Sequence, residues 1–185
     1  MARTESTMLA LGTEAPPFQL PDVVSGKMIA LNDVANQKPL LVMFICRHCP
    51  FVKHVQTELA RLGRDYESKP LGIVAISSND ADAYPDDRPE SLREMAAQLD
   101  LRFPFCYDET QEVARAYDAA CTPDFYLFDN SHRLVYRGQL DDSRPGNNVP
   151  LTGRDLRGAI DAVLSGREVP RDQKPSLGCN IKWRS

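Results

Sequence analysis

The feature that most constrains the fold is a pair of apolar runs separated by an amphipathic helical pattern. Residues 40–45 and 71–76 carry no polar side chain, which is typical of strands covered on both faces in a parallel sheet. The pattern between them repeats at steps of three and four, in Val52, Val55, Leu59, Leu62 and Tyr66. Two parallel strands joined by a helix form a right-handed βαβ unit. The sequence therefore predicts an α/β domain built around this unit.

Shorter patterns complete the predicted domain. Residues 18–20 and 28–31 flank a Ser-Gly turn, and residues 125–128 and 134–136 flank a polar turn, so each pair predicts a β-hairpin. Further helical spacings occupy residues 91–99, 110–117 and 152–164. We expect an α/β, three-layer fold in which helices flank a central mixed sheet that begins parallel and ends antiparallel, with an N-terminal β-hairpin extension.

We divide the chain into an N-terminal extension (1–10), one main domain (11–170) and a polar C-terminal tail (171–185) that carries Cys179. A length of 185 residues suits one domain with its own core. A net charge of -4 argues against a nucleic-acid or membrane partner, and we expect neither. We expect the protein to be a monomer or a homodimer. The N-terminus lacks the pattern of a secretory signal, and we expect a cytoplasmic protein whose five cysteines are not structural disulfides.

Two of these cysteines, in the sequence Cys46-Arg47-His48-Cys49, lie between the first predicted strand and its helix. Pro50 fits only in the first turn of a helix, so both sulfurs should lie near a helix N-terminus. Unpaired backbone N–H groups and the helix dipole favour a thiolate there, and Arg47 and protonated His48 would add to this effect. We expect Cys46 to attack a disulfide and Cys49 to resolve the mixed disulfide.

Other interpretations of the cysteines stay open. A zinc site needs two further ligands, and the remaining Cys and His residues show no ligand spacing, so we expect no metal. Cys106 and Cys121 are better explained as small buried side chains. Cys179 is either an additional redox cysteine brought to the pair by the tail or an unreactive thiol.

Three segments in a consistent order carry a resemblance to a known family. They are residues 11–20, the motif Cys46–Cys49, and Thr122-Pro123 ahead of the strand pattern. Together they resemble the redoxin branch of the thioredoxin superfamily, which includes AhpC/TSA peroxiredoxins and TlpA-like reductases. The chain is most similar to bacterial thioredoxin-family proteins that read Cys-x-His-Cys-Pro-Phe-Val and end in Gly-Cys-x-Ile-Lys-Trp, here residues 178–183.

The resemblance implies a thioredoxin-like fold and thiol–disulfide oxidoreductase activity on protein or small-molecule thiol or disulfide substrates, supported by an electron-donor reductase. It requires no cofactor beyond the redox-active disulfide. It also implies that Thr122 and Pro123 form a substrate-binding cis-proline loop. The alternative is an antioxidant, peroxiredoxin-like thiol peroxidase with Cys49 or Cys46 as the peroxidatic cysteine, since Cys49-Pro50 resembles that family's motif. A third class is a binding module that uses the cysteines for a metal or a partner.

Overall fold

The computed structural model describes residues 3–184, so Met1 and Ala2 of the predicted extension and Ser185 of the predicted tail lie outside the described residues. The strands are β1 (Arg3–Glu5), β2 (Gln19–Pro21), β3 (Met28–Ala30), β4 (Leu40–Phe44), β5 (Gly72–Ser77), β6 (Phe105–Tyr107), β7 (Cys121–Thr122), β8 (Asp124–Phe128), β9 (Leu134–Gly138) and β10 (Leu177–Asn180). The helices are α1 (Leu31–Ala35), α2 (Pro50–Tyr66), α3 (Pro89–Leu99), α4 (Glu112–Ala116) and α5 (Arg154–Leu164), and a 3₁₀ turn covers Pro85–Asp87. Of the helices within residues 3–184, none is both long and apolar enough to cross a lipid bilayer.

The central sheet has five strands in the order β6-β5-β4-β8-β9. β4 pairs in parallel with β5, and β5 pairs in parallel with β6. β8 runs antiparallel to both β4 and β9. The predicted mixed sheet, parallel at first and antiparallel at the end, is therefore confirmed. Every residue of β4 and β5 is buried, as the apolar runs 40–45 and 71–76 predict.

Alternating side chains of β4 enter two separate cores, one on each face of the sheet. Leu41 and Met43 pack in the core that includes buried residues of α2, α3 and α5. Leu40, Val42 and Phe44 pack in the core that includes buried residues of α1 and α4. This arrangement is the predicted three-layer architecture.

The C-terminal tail forms a strand that the sequence analysis did not predict. β10 lies between β1 and β7 in a separate three-stranded sheet, antiparallel to both. Cys179 of β10 stands opposite Arg3 on one side and opposite Thr122 on the other. Both ends of the chain are thereby attached to the loop that precedes β8.

β10 can approach β7 closely because position 178 is glycine. A Cβ atom built on Gly178 would lie 2.0 Å from the carbonyl oxygen of Thr122, which is backbone and cannot rotate away. Gly178→Ala should therefore lower the free energy of unfolding by about 1–3 kcal/mol, as overpacking does elsewhere. Urea denaturation measures this difference.

Gly158→Ala is the matched control. Gly158 is an exposed residue of α5, and a Cβ atom added there meets nothing within 4 Å. Alanine is the better helix former, so this variant should be as stable as the wild type or more stable by up to about 1 kcal/mol. If the two variants unfold at the same urea concentration, β10 is not seated against β7 as described.

Candidate active site

The predicted redox residues meet at one edge of the central sheet. Cys46 and Cys49 follow β4, and the segment that contains Asp87 follows the parallel neighbour β5. The Thr122-Pro123 pair precedes β8, whose antiparallel direction brings its start to the same edge. In parallel sheets the carboxyl ends of strands form the usual site for ligands and chemistry.

Three sulfur atoms form a chain with Cys49 in the middle. The thiols of Cys46 and Cys49 are close enough for each to shift the pKa of the other. The Sγ atom of Cys49 lies 2.9 Å from Sγ of Cys179 and 3.2 Å from the carbonyl oxygen of Thr122. The Sγ atom of Cys46 lies 3.2 Å from Oγ1 of Thr122. All three sulfurs are buried beneath the surface.

The cis-proline loop is present, but the backbone edge that would pair with a substrate is already paired with β10. The Thr122-Pro123 peptide bond is cis, as the resemblance implies. The backbone of Thr122, predicted to bind substrate, pairs with Cys179 of β10. The carbonyl oxygen of Pro123 accepts a hydrogen bond of 2.6 Å from Oγ of Ser176. An extended substrate could pair with this edge only if β10 moved away.

Pro50 and Arg47 both position the cysteine loop. Cys49 is the N-cap of α2 and Pro50 its first residue, which confirms the predicted helix start. The guanidinium of Arg47 donates to the carbonyl oxygen of Ser91 at 2.8 Å and forms an ion pair with Glu94 at 2.9 Å. Arg47 therefore fastens the loop to α3, a role that differs from the expected support of a thiolate.

A buried carboxylate that sequence reasoning missed organises the loop between the cysteines. Oδ1 of Asp87 accepts hydrogen bonds from the backbone N–H groups of Arg47 and His48, at 2.8 and 3.2 Å. Oδ2 accepts one from the side chain of Asn79 at 2.8 Å and lies 2.5 Å from Nδ1 of His48. Burial opposes ionisation of this group, but the contacts with His48 and Asn79 lower its pKa. The His48 ring also stacks on Tyr84, with centroids 5.1 Å apart.

The same network reaches the tail. Oδ1 of Asn79 accepts a hydrogen bond of 2.8 Å from the backbone N–H of Lys182. The carbonyl oxygen of Lys182 accepts hydrogen bonds from the backbone of Asp80 and the side chain of Gln111, both at 2.8 Å. The signal available in the sequence was that the loop after β5 carries Asn79 and Asp87. β5 is the parallel neighbour of the strand that leads to the cysteines, so its loop lies at the same edge of the sheet.

The surroundings of the two sulfurs differ in how they affect ionisation. Burial raises the pKa of Cys46 well above its usual value, and the hydrogen bond with Cys49 and the charge of Asp87 raise it further. The hydrogen bond from Cys46 lowers the pKa of Cys49 to about 5 although burial opposes this, and the Cys179 thiol and the backbone amide of Val52 also lower it. These contacts favour the negative charge of the reduced pair on Cys49, whereas the sequence favours it on Cys46. Which of the two sulfurs attacks the substrate stays a prediction.

One group of side chains has the composition of a metal site. Potential ligand atoms of Cys46, His48 and Asp87 lie within 4.8 Å of one another. Both oxygens of Asp87, however, already contact N–H groups or the ring of His48. These contacts explain the cluster as a hydrogen-bond network, and the expectation that the protein holds no metal stays a prediction.

Comparison with known proteins supports the redox interpretation of this geometry. The model of the AhpC/TSA family matches residues 11–137, more than half of the chain. The chain belongs to the AhpC/TSA family. The resemblance to the redoxin branch is thereby confirmed.

Relatives of this AhpC/TSA chain include two kinds of redox protein. The thiol-disulfide oxidoreductase ResA of Bacillus thuringiensis subsp. konkukian is 24% identical over 132 residues, which cover 71% of each chain. A Mycobacterium tuberculosis protein (strain H37Rv) that carries the name of a peroxiredoxin is 27% identical over 116 residues, covering 63% of this chain and 68% of the relative. These relatives identify the chain as an oxidoreductase.

Solved structures confirm the fold of the AhpC/TSA chain. A conserved protein from Geobacillus kaustophilus is 58% identical, with a TM-score of 0.97 over 100% of this chain and 97% of its own. Thioredoxin-like structures at 20% and 23% identity superpose with TM-scores of 0.67 and 0.62. The fold is therefore thioredoxin-like.

The low pKa of Cys49 can be measured directly. In the reduced protein, the ultraviolet absorbance of thiolate should rise with a midpoint at a pH of about 5. Cys49→Ser should remove this transition. Cys46→Ala should move it to higher pH, because it removes the hydrogen bond that contributes most to lowering the pKa of Cys49. A serine at this position would still donate one.

Cys106→Ala is the control for this titration, since burial raises the pKa of Cys106 to about 12. Its loss should leave the acidic transition unchanged. A transition at a pH of about 5 that survives Cys49→Ser and disappears in Cys46→Ala would place the charge on Cys46 instead.

Proposed function

We propose that this chain is a thiol–disulfide oxidoreductase whose redox couple is Cys46 and Cys49. The observation that carries the proposal is the pair of buried, interacting thiols at the start of α2, one of which has a pKa of about 5. A thiolate is the species that attacks a disulfide, and a second thiol next to it can complete the exchange. The similarity to a relative named as the thiol-disulfide oxidoreductase ResA supports the proposal.

The reaction proceeds in two exchange steps. The Cys49 thiolate attacks one sulfur of a substrate disulfide, and the other substrate sulfur leaves and takes up a proton. Cys46 then loses its proton and attacks Sγ of Cys49, which releases the second substrate thiol and forms the Cys46–Cys49 disulfide. Two electrons pass to the substrate, and an external dithiol reductase returns them. The order predicted from the sequence, with attack by Cys46, first requires the proton of Cys46 to pass to Cys49.

Substitution of either cysteine tests the couple. Cys46→Ser and Cys49→Ser should each lower the rate of disulfide reduction at least about 100-fold, because one thiol attacks the substrate and the other must complete the exchange. An insulin reduction assay measures this rate, and Cys106→Ala should keep the wild-type rate. Full activity of Cys46→Ser would exclude the proposed couple.

The attacking sulfur is identified by trapping. In Cys46→Ser/Cys179→Ala, Cys49 has no neighbouring thiol in the sulfur chain, so a mixed disulfide with substrate should accumulate and be visible by mass spectrometry. Cys49→Ser should form a mixed disulfide at Cys46 more slowly at neutral pH, because burial raises the pKa of Cys46. Faster trapping at Cys46 would restore the order predicted from the sequence without affecting the couple.

A second candidate function is a thiol peroxidase. It is favoured by the charge on Cys49, by Pro50 directly after it, and by the relative named as a peroxiredoxin. The Cys49 thiolate would attack one oxygen of hydrogen peroxide, form a sulfenic acid and release hydroxide. Condensation with the Cys46 thiol would then release water and give the same Cys46–Cys49 disulfide.

Peroxide consumption separates this function from simple exchange. At pH 7 a free cysteine is only a few per cent ionised, so reduced protein should consume peroxide at least about tenfold faster than free cysteine. The reaction should use one equivalent of peroxide per protein and be lost in Cys49→Ser. A rate equal to that of free cysteine would remove the peroxidase from consideration and leave disulfide exchange intact.

A further inference from the structure

A third thiol, far away in the sequence, lies in direct contact with the charged sulfur of the couple. Sγ of Cys179 is 2.9 Å from Sγ of Cys49, although 130 residues separate them. A sulfur–sulfur bond is about 2.05 Å long, so a shift of less than about 1 Å would join them. Neither the family match, which ends at residue 137, nor the redox couple proposed above uses this thiol.

The fold holds Cys179 at this place from both sides. β1 pairs with one edge of β10, and the backbone of Thr122 pairs with the other. The absence of a side chain at Gly178 lets β10 lie against Thr122, as described above. After β10, Ile181 is buried and its N–H donates to the carbonyl oxygen of Ala120 at 3.0 Å. The contact between the two sulfurs is therefore built into the sheet.

We propose that Cys179 is a second resolving cysteine, so that Cys49 forms a disulfide with either Cys46 or Cys179. The proposal rests on the function proposed above and adds a second oxidised form of the protein. In one form Cys46 and Cys49 are joined, and Cys179 is a thiol. In the other, Cys49 and Cys179 are joined, and Cys46 is a thiol.

The two forms interconvert by an exchange that needs no external oxidant. Cys179 loses its proton and attacks Sγ of Cys49 in the Cys46–Cys49 disulfide. The Cys46–Cys49 bond breaks, the Cys49–Cys179 bond forms, and Cys46 leaves as a thiolate that takes up a proton. The number of thiols and of disulfides is unchanged. Cys179 can also resolve a mixed disulfide on Cys49 directly, with release of the substrate thiol.

The second form differs from the first in its consequences for the site. The Cys49–Cys179 bond ties β10 covalently to the start of α2 and keeps the edge of β7 covered. An extended substrate could pair with Thr122 only after this bond is broken, so the second form is closed to such substrates.

Tryptic mapping under non-reducing conditions tests the proposal, because Arg47 separates the first two cysteines. Trypsin leaves Cys46, Cys49 and Cys179 in three peptides, since it does not cleave before Pro39 or Pro175. These peptides span residues 28–47, 48–53 and 172–182. After oxidation of the whole protein with one equivalent of oxidised glutathione and an acid quench, the wild type should yield two linked pairs, 28–47 with 48–53 and 48–53 with 172–182.

Three variants test which cysteine forms a disulfide with Cys49. Cys46→Ser should give only the pair of 48–53 with 172–182, within a monomer and without retained glutathione. Cys179→Ala should give only the pair of 28–47 with 48–53. Cys121→Ala is the matched control: Cys121 lies on β7 and is buried like Cys179, and its Sγ contacts the carbonyl oxygen of Pro123 at 3.7 Å. It should give both wild-type pairs.

The outcomes distinguish failure of this proposal from failure of the function. If Cys46→Ser retains glutathione on Cys49 or forms only dimers between chains, Cys179 does not resolve Cys49 and the proposal is overturned. The Cys46–Cys49 pair in the wild type would then still support the proposed couple. If oxidised wild type shows neither pair, the couple itself fails. Circular dichroism of each variant confirms that the fold is kept.

Discussion

The pairing of β10 with β7 is the interaction on which the rest of the site depends. It requires a residue without a side chain at position 178, because the carbonyl oxygen of Thr122 occupies the space that a Cβ atom would need. The pairing covers the two cysteines of the couple and brings a third sulfur to the middle one. It also delivers the backbone of Lys182 to Asn79 and so connects the tail to the loop held by Asp87. The tail is thus a structural part of the redox centre.

The charge distribution in this buried site follows from what each sulfur contacts. Cys46 faces the field of Asp87 and is deprived of water, so its neutral form is favoured. Cys49 is the N-cap of α2 and has thiol neighbours on two sides. A buried negative charge needs hydrogen-bond donors to offset the loss of hydration. Thr122 offers Cys46 one donor, whereas the thiols of Cys46 and Cys179 and the backbone amide of Val52 all lower the pKa of Cys49. The negative charge is therefore favoured on the middle sulfur.

Much of the fold could be predicted because its signals are local. The apolar runs of β4 and β5, the periodicity of α2 and the position of Pro50 each depend on neighbouring residues, and all appear as expected. The order of ionisation could not be predicted, because the charge of Asp87 and the thiol of Cys179 reach the cysteines only through the tertiary fold. β10 was missed since strands of two to four residues carry no periodicity and form only by pairing with distant segments. The sulfurs could therefore be found from the sequence, but the distant groups that act on their ionisation could not.

β1, at the opposite end of the chain from β10, also helps to hold the strand that carries Cys179. It covers the outer edge of β10, and Ser6 extends the contact by donating from its N–H to the carbonyl oxygen of Ser176 and accepting from the N–H of Ser176 at Oγ. Proteolytic trimming before residue 7 would leave β10 with a bare edge, and its amide protons would exchange with solvent more readily. A cut about 40 residues ahead of the first active-site cysteine would then loosen the strand that carries the third sulfur. The reactivity of the centre is in this sense partly a property of the N-terminal strand.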